Sequence, residues 1–312
     1  MRKRIVTRAI NPNLGRQRDF QKRLKRLYDD FGRMVLEDCL LYISQNSLIA
    51  EDDSLTNPRD PKERAELRRL MSRIKASIKA DPALFRANMD AFIQRNKVKW
   101  LEAGSRIGES VARWYCQNCA VQLTRTQKRN LISAGVDPSV FVKWKLPVIA
   151  KAYVSPTLYK LMPAIVQETA SKITGALGKD IAAITQAVVD GFAKGNTLGT
   201  VLNVVRAMAG MTESRAKFVA RDQTNRITQR ITVANDTDIG IQQGIWIHRP
   251  GKYTSRETHV EMDGKPFDLK KGLFDSHVGY NVIPGELINC RCVYRADITS
   301  LVNKNELRKD YI

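Results

Sequence analysis

The spacing of apolar side chains predicts that most of the chain is helical. From Leu14 onward, apolar residues recur at intervals of three and four, which places them on one face of a helix. The first such stripe comprises Leu24, Leu27, Tyr28, Phe31, Met34 and Val35. Similar patterns continue far along the chain, so we expect several long amphipathic helices that pack through their apolar faces.

Capping signals mark where further helices begin. Asp81-Pro82 and Ser155-Pro156 each combine a capping side chain with a proline at the first helical position. A polar break over residues 51–61 precedes a predicted basic helix over residues 62–79, and an apolar helix is predicted over 181–192. Within the long central pattern, Gly104 and Gly108 lie one turn apart and predict a close approach between helices.

The pattern changes after Gly240. Residues 244–248 favour a strand, and Asp263-Gly264 is a dipeptide typical of a two-residue hairpin. Residues 288–294 predict a closing strand. The predicted fold class is therefore mainly α, with a long helical N-terminal body and a small α+β C-terminal module. We expect a basic arm at 1–13, a helical body at 14–195 and a C-terminal domain at 196–312, whose helices extend to about residue 239.

The charge balance indicates an anionic partner. The chain has 52 Lys and Arg against 32 Asp and Glu, a formal net charge of +20. Such an excess favours contact with the phosphates of a nucleic acid, although a basic surface used for solubility or for docking on an acidic protein is the alternative. The candidate DNA-binding residues are concentrated near the N-terminus and comprise Arg2, Lys3, Arg4, Arg8, Arg16, Arg18, Lys22, Arg23, Lys25 and Arg26.

The composition also indicates the cellular compartment in which the protein folds. The sequence contains no run of eighteen apolar residues, so no membrane-spanning helix is predicted. The basic start of the chain lacks the apolar segment of a secretory signal. Five cysteines in 312 residues are odd in number and sparse, which argues against a secreted disulfide scaffold. We therefore expect a reducing environment.

The residues best suited to bind a metal lie in the C-terminal module. Cys290 and Cys292 are separated by one residue, so in a strand both sulfurs point to the same side. With His259 and His277 they would supply the four ligands of a tetrahedral zinc site. The alternative is that the cysteines are small buried hydrophobes and that His259 is a hydrogen-bonded structural residue, so that the protein has no cofactor.

A second cysteine pair has a simpler explanation. Cys116 and Cys119 form a Cys-x-x-Cys motif, but the surrounding pattern places it in the middle of a helix. Redox activity would require the N-terminus of a helix to lower the thiol pKa. We therefore expect both side chains to pack in a core.

An enzymatic role is the alternative to a purely structural one. His259, Asp263 and His277 could serve a metal-dependent nuclease or a toxin-like enzyme if they converged on one pocket. However, the sequence contains no nucleophile motif, no phosphate-binding glycine loop and no HExxH helix. The expectation is that the protein is not an enzyme, and a zinc-stabilised binding module is a further alternative.

The order of motifs in the C-terminal third resembles a known family. Trp246 is followed by Arg256, His259, Asp263-Gly264, Pro284-Gly285 and Asn289-Cys290-Arg291-Cys292. This series is similar to the signature of the Mu protein F-like phage head morphogenesis family. The preceding helix departs from the family pattern, because Asp222 directly follows Arg221 and Thr224 comes later.

The resemblance implies a minor head protein of a tailed bacteriophage. Such a protein would be assembled in the host cytoplasm and would lie in the capsid interior of the virion. Its partners would be the portal protein, the major capsid protein and double-stranded DNA. It would act in head morphogenesis and in DNA packaging or delivery.

Overall fold

The structure is a computed structural model of the 312-residue chain. It describes residues 4–46, 81–149, 152–194, 196, 198–207, 209–251 and 254–302. The predicted polar break at 51–61 and the predicted basic helix at 62–79 lie outside these residues.

Helices dominate the described residues, and the mainly helical prediction is confirmed. They are α1 (Leu14–Asn46), α2 (Pro82–Ser133), α3 (Pro156–Ala193), α4 (Leu198–Ala207), α5 (Ala209–Asp238) and the short α6 (Glu257–Glu261), with one 3-10 turn at Pro138–Phe141. Within the described ranges, no helix is both long enough and apolar enough to cross a membrane.

Three of the long helices begin at side chains that cap a free backbone amide. Asn13 Oδ1 accepts from the amide of Arg16 at 3.0 Å, and Asp81 Oδ1 accepts from that of Leu84 at 2.8 Å. Ser155 Oγ accepts from the amide of Leu158 at 3.2 Å. These bonds satisfy donors that the first helical turn leaves without partners. The two starts predicted from Asp-Pro and Ser-Pro are therefore confirmed.

One helical boundary was wrongly predicted. The apolar segment 181–192 does not form a separate helix, because it is the last part of α3, which runs unbroken from Pro156 to Ala193. Pro163 lies within the helix, and Gly178-Lys179-Asp180 directly precede residue 181, but the helix continues through both places. These local signals are therefore overridden in the folded chain.

The strands are short and all their pairings are antiparallel. They are β1 (Leu146–Ile149), β2 (Ala152–Val154), β3 (Gln243–Ile247), β4 (Pro266–Asp268), β5 (Leu273–Asp275), β6 (Tyr280–Val282) and β7 (Val293–Ala296). The central sheet has the order β4-β3-β7, while β1-β2 and β5-β6 are two-stranded. The predicted strand at 244–248 is confirmed as β3, and the small α+β C-terminal module is confirmed with it.

Two details of the module differ from the prediction. Asp263-Gly264 forms a turn, but the turn joins α6 to β4 instead of linking two strands. The closing strand begins at Val293 and not at residue 288, because residues 284–290 form turns. Local sequence cannot distinguish a turn after a helix from a hairpin turn, since Asp-Gly suits both.

The chain divides into two compact units that are discontinuous in sequence. The first unit comprises Met1–Gln21, Glu109–Ala170 and Phe218–Ile312, and the second comprises Lys22–Gly108 and Ser171–Lys217. The predicted domains are consecutive stretches of sequence, so the units group the residues differently. The domain boundaries at 13 and 195 stay a prediction.

The first unit contains the strands and a core that includes the start of the chain. Ile5 is buried in this core together with Trp246, Tyr294 and Ile298. The amide of Thr7 donates to the carbonyl of Ala296, and the amide of Ile298 donates to the carbonyl of Ile5, both at 2.9 Å. The predicted basic arm is thus irregular only in part, because its described residues pair with the backbone that follows β7.

The second unit shows the close helix approach that the glycines predicted. A Cβ atom at Gly104 would lie 2.9 Å from a Leu177 methyl group and 3.1 Å from the Phe31 ring. A Cβ atom at Gly108 would lie 3.2 Å from Ile173. The predicted close approach is confirmed at both glycines, and a side chain would meet a closer neighbour at Gly104 than at Gly108.

Candidate functional site

Three potential metal ligands converge in the C-terminal module. His259 on α6 and Cys290 and Cys292 in the loop before β7 are all buried, and their donor atoms lie within 4.8 Å of one another. His259 Nδ1 is 3.5 Å from Cys290 Sγ and 3.7 Å from Cys292 Sγ. Three of the four residues proposed as zinc ligands are therefore brought together.

The fourth neighbour of the thiols is His248 and not His277. His248 follows the end of β3, and its Nδ1 lies 3.6 Å from Cys292 Sγ. The side chain of His277 is 58% exposed, and its Nδ1 lies 3.6 Å from Asp275 Oδ1 instead. His277 is outside the donor group because the turn between β5 and β6 carries it to the solvent side of Asp275.

Each of the two histidines near the thiols has a second polar partner. His259 Nε2 lies 3.1 Å from Oδ2 of the fully buried Asp275. His248 Nε2 lies 3.1 Å from Ser255 Oγ. Burial acts to raise the pKa of Asp275, but the His277 amide and the His259 ring outweigh it, so the pKa is lowered. The carboxylate is therefore charged at neutral pH and orients the His259 ring.

The two thiols have different acidities. The hydrogen bond from the Cys290 thiol lowers the pKa of Cys292 to about 7, against the effect of burial. The pKa of Cys290 is raised, first because it is the donor of that bond and second because it is buried. The arrangement therefore favours one thiolate in the absence of metal, and this thiolate lies beside two imidazoles.

Helix α5 holds the loop that carries the cysteines. Arg221 Nη2 donates to Asn289 Oδ1 and Asp222 Oδ1 accepts from the Asn289 amide, both at 2.8 Å. Asn225 Nδ2 donates to the carbonyl of Cys290 at 2.7 Å. The Arg221-Asp222 pair, which departs from the family pattern at Asp222, thus has a direct structural role.

The motif residues Asn289 and Gly285 are explained by backbone geometry. Asn289 has a φ of 60°, and asparagine tolerates this left-handed conformation better than most residues do. Gly285 has a φ of 77°, and a Cβ atom there would lie 2.7 Å from Asn225 Nδ2. The loop therefore crosses α5 too closely for any side chain at position 285.

The remaining motif residues fix the elements around the donors. The Trp246 ring is fully buried and packs edge-on against the His259 ring, with centroids 5.1 Å apart. Arg256 Nη2 donates to the carbonyl of Ile288 at 3.1 Å, which ties α6 to the cysteine loop. Asp263 Oδ1 accepts from the His248 amide at 2.8 Å. Pro284 is buried, whereas Arg291 is exposed.

A pocket of about 240 Å³ opens beside the donors. Its lining includes His248, His259, Cys290 and Cys292. Four arginines also line it: Arg221, Arg249, Arg256 and Arg291. The three residues of the nuclease alternative do not converge here, because neither Asp263 nor His277 belongs to the donor group.

The N-terminal basic residues have different environments, and Arg2 and Lys3 lie outside the described residues. Arg16 is half-buried and donates to Gln122 Oε1 at 2.8 Å, and Lys25 pairs with Asp29. Arg4 lies 3.6 Å from Asp297. The exposed members of the set are Arg4, Arg8, Arg18, Lys22, Arg23 and Arg26.

The Cys-x-x-Cys motif lies in the middle of α2, as predicted. Cys116 and Cys119 are buried, and burial raises the pKa of Cys116 to about 12 and that of Cys119 to about 11. Both thiols are therefore protonated at neutral pH. This confirms core packing and gives neither of them the low pKa of a redox-active cysteine.

Sequence reasoning missed His248 and Asp275. A signal for His248 was present, because it lies two residues after Trp246 at the end of a predicted strand, on the side of the buried indole. Asp275 had no such signal, since a carboxylate in a turn-rich segment is usually solvated. Its role becomes visible only when β5 is placed beside α6.

The comparisons with known proteins agree with the motif order. Residues 182–295 match the Phage Mu protein F like protein family. The predicted resemblance is confirmed for this Mu F-like region, which contains α4, α5, α6 and the sheet. The matched segment includes the whole motif series from Trp246 to Cys292.

The chain is also similar to a curated bacterial protein. An uncharacterized protein of Haemophilus influenzae is 26% identical over 156 residues, which cover 50% of this chain and 33% of that protein. The chain thus spans about a third of the length of the curated relative that it matches. No solved structure matches the chain.

Proposed function

We propose that this protein is a minor head protein of a tailed bacteriophage. It lies in the capsid interior, associates with the portal and the major capsid protein, and acts in head morphogenesis and in DNA packaging or delivery. The observation that carries the proposal is the Mu F-like match over residues 182–295, within which the motif residues form one assembled site.

Non-specific contact with double-stranded DNA is part of the same proposal. The net charge of +20 favours a polyanion, and Arg18, Lys22 and Arg26 are exposed at four-residue intervals along α1. Residues four apart on a helix lie on the same face, so these side chains can reach neighbouring phosphates. Contacts of this kind carry no base specificity.

Assembly in cells tests the virion role. Procapsids would be produced from capsid and portal genes with and without this chain, and with the chain in the absence of the portal gene. Recovery of the chain in the particle fraction only when the portal is present would support the proposal. A chain that stays soluble beside complete particles would contradict it.

Salt-dependent DNA binding tests the phosphate contacts. Deleting residues 1–26 is unsuitable, because Ile5 and Phe20 are buried and their loss would disturb the core. The triple variant Arg18→Ala, Lys22→Ala and Arg26→Ala removes the charges without that damage. Each lost phosphate contact reduces the slope of log K against log salt by about 0.9, so we expect a slope smaller by roughly 2.7.

A matched control separates local contact from overall charge. Lys265, Lys270 and Lys271 are exposed in the C-terminal module, and their triple alanine variant loses the same charge. We expect the control to keep the slope of the unchanged protein. An equal decrease of the salt slope in the two triple variants would show that α1 is not the DNA-binding surface.

A further inference from the structure

We propose that His248, His259, Cys290 and Cys292 form a closed tetrahedral site for one zinc ion that stabilises the C-terminal module. The inference goes beyond the phage role, since a head protein needs no metal in principle. It also revises the ligand set suggested by the sequence, because His248 replaces His277.

The spacing of the donor atoms is the first support. Zinc binds histidine nitrogen at about 2.0–2.1 Å and cysteine sulfur at about 2.3 Å, so tetrahedral angles place the two kinds of ligand atom roughly 3.5 Å apart. His259 Nδ1 lies 3.5 Å from Cys290 Sγ and 3.7 Å from Cys292 Sγ, and His248 Nδ1 lies 3.6 Å from Cys292 Sγ. His259, Cys290 and Cys292 lie close enough to one another to share a central ion, and His248 joins this group through its approach to Cys292.

The second support is the orientation of the imidazoles. Both histidines direct Nδ1 toward sulfur and place Nε2 at an acceptor, which is Asp275 for His259 and Ser255 for His248. Metal-bound histidines usually donate their second nitrogen to such a group, which fixes the ring for coordination. A buried carboxylate behind a histidine that faces two thiols is therefore expected for a zinc ligand.

The composition of the site favours zinc over other metals. Two thiolates and two neutral imidazoles are a common structural zinc set, and their two negative charges balance Zn²⁺. Binding releases the thiol protons to solvent, so the ion and its four ligands together carry no net charge in the buried site. Four protein ligands fill the tetrahedron and leave no position for a substrate, which indicates a structural ion.

The ion would connect three separate segments of the first unit. His248 follows β3, His259 lies on α6, and the cysteines lie in the loop before β7. Helix α6 has only five residues and β7 only four, so neither is long enough to be stable by itself. A shared ion would join these short segments by coordination bonds in addition to their packing in the hydrophobic core.

A catalytic cysteine is the competing explanation of the same residues. A Cys-His-Asp arrangement would use one thiol, His259 and Asp275, as in nucleophilic catalysis. It would leave the second thiol only as a hydrogen-bond partner of the first, and it would give no role to the approach of His248 toward Cys292. The zinc site accounts for all four donors together, and the experiment distinguishes the two explanations.

The first experiment measures metal in the full-length chain. The protein would be purified without chelators, and zinc would be quantified by mass spectrometry against protein concentration. We expect one equivalent of zinc, and replacement by Co²⁺ should give the visible absorption of a tetrahedral cobalt-thiolate centre. Protein that contains no zinc and binds neither Zn²⁺ nor Co²⁺ under reducing conditions would overturn the proposal.

Two histidine variants test the identity of the ligands. His248→Ala should lower the affinity for zinc at least tenfold, whereas His277→Ala should bind zinc as the unchanged protein does. The second variant is a matched control, because it removes an imidazole that contacts Asp275 from the solvent side. The opposite order of the two affinities would overturn the assignment of His248.

A measurement on the unchanged chain avoids the risk that variants fail to fold. Alkylation of Cys290 and Cys292 should be slow with zinc bound and should accelerate when a strong chelator is added, while the melting temperature falls. The buried Cys116 should show no such change before the protein unfolds. Rapid alkylation of one of the two thiols, unchanged by zinc or chelator, would overturn the proposal and favour a catalytic cysteine.

Discussion

The backbone amide of Asn289 donates a hydrogen bond to Asp222 Oδ1 at 2.8 Å. Asp222 is buried on α5, and its second oxygen accepts from Gln223. The bond joins two segments that are 67 residues apart in sequence. It shows how a departure from the family pattern, an aspartate directly after Arg221, holds the cysteine loop in position.

Removal of this acceptor should destabilise the protein. Asp222→Ala leaves the Asn289 amide without its partner in a partly buried site, so we expect a loss of about 1–3 kcal/mol in the free energy of unfolding. Asp222→Asn keeps one acceptor oxygen and should cost less. Urea unfolding followed by circular dichroism measures both, and equal stability of the alanine variant and the unchanged chain would contradict the role of this bond.

The left-handed backbone at Asn289 predicts which of two variants at this position is the more stable. Asn289→Ala and Asn289→Gly both lose the hydrogen bond from Arg221, but only alanine also carries the steric cost of a φ of 60°. The glycine variant should therefore be more stable than the alanine variant by about 1 kcal/mol. Chemical denaturation of the two variants measures this difference in the free energy of unfolding. A more stable alanine variant would show that the loop adopts another conformation.

Stability should fall with rising pH because of Asp236. Complete burial raises the pKa of this carboxyl from 3.8 to about 7, although Tyr294 and Gln127 donate hydrogen bonds to it. Between these values the folded state binds more protons than the unfolded state. The free energy of unfolding contributed by Asp236 is therefore highest below about pH 4, and it is lost as the pH rises toward 7.

The neutral variant Asp236→Asn isolates this contribution from other titrating groups. A shift of three pKa units corresponds to roughly 4 kcal/mol at most, so the stability of the unchanged chain relative to the variant should fall by a few kcal/mol between pH 4 and pH 8. The measurement is denaturant unfolding of both proteins across this range. Parallel pH profiles would mean that Asp236 does not titrate in this way.

The glycines of the second unit allow a matched comparison. At Gly104 on α2, an added methyl group would contact Leu177 and the Phe31 ring, whereas at Gly175 on α3 nothing lies within 4 Å. Both changes gain about 1 kcal/mol of helix propensity. We expect Gly175→Ala to stabilise the chain and Gly104→Ala to be about 1–3 kcal/mol less stable than Gly175→Ala. Thermal or urea unfolding of the two variants tests this, and indistinguishable stabilities would contradict close packing at Gly104.

Local signals in the sequence were sufficient for much of the helical fold. Asp81-Pro82 and Ser155-Pro156 predicted helix starts because capping depends on a few adjacent residues. Gly104 and Gly108 predicted close packing for a similarly local reason. The pattern wrongly predicted a separate helix at 181–192, which is part of the continuous α3. It also wrongly predicted that a strand begins at residue 288, where β-prone residues lie in a turn.

The candidate site was only partly predictable because its ligands come from separate segments. The Cys-x-Cys spacing was expected to bring both thiols to one side of a strand, but they meet in the loop before β7, where His259 lies beside them. The choice between His248 and His277 depends on how β3, β5 and β6 are arranged around α6. The position of His248 after Trp246 was a weak signal, and only the tertiary arrangement excludes His277 from the donor group.

The pairing of residues 5–7 with residues 296–298 has a consequence for the order of events in a cell. The backbone amide of Ile5 donates to Thr299 Oγ1, a partner that is synthesised 294 residues later. Ile5 therefore lacks its final contacts until residues 296–299 have left the ribosome. A fragment restricted to residues 182–295 would lack both residues 5–7 and their partners at 296–298, so the edge beside β7 would be uncovered and could pair with another chain. Work on the Mu F-like region in isolation should therefore keep residues 296–298 and supply residues 5–7, because self-association is expected without them.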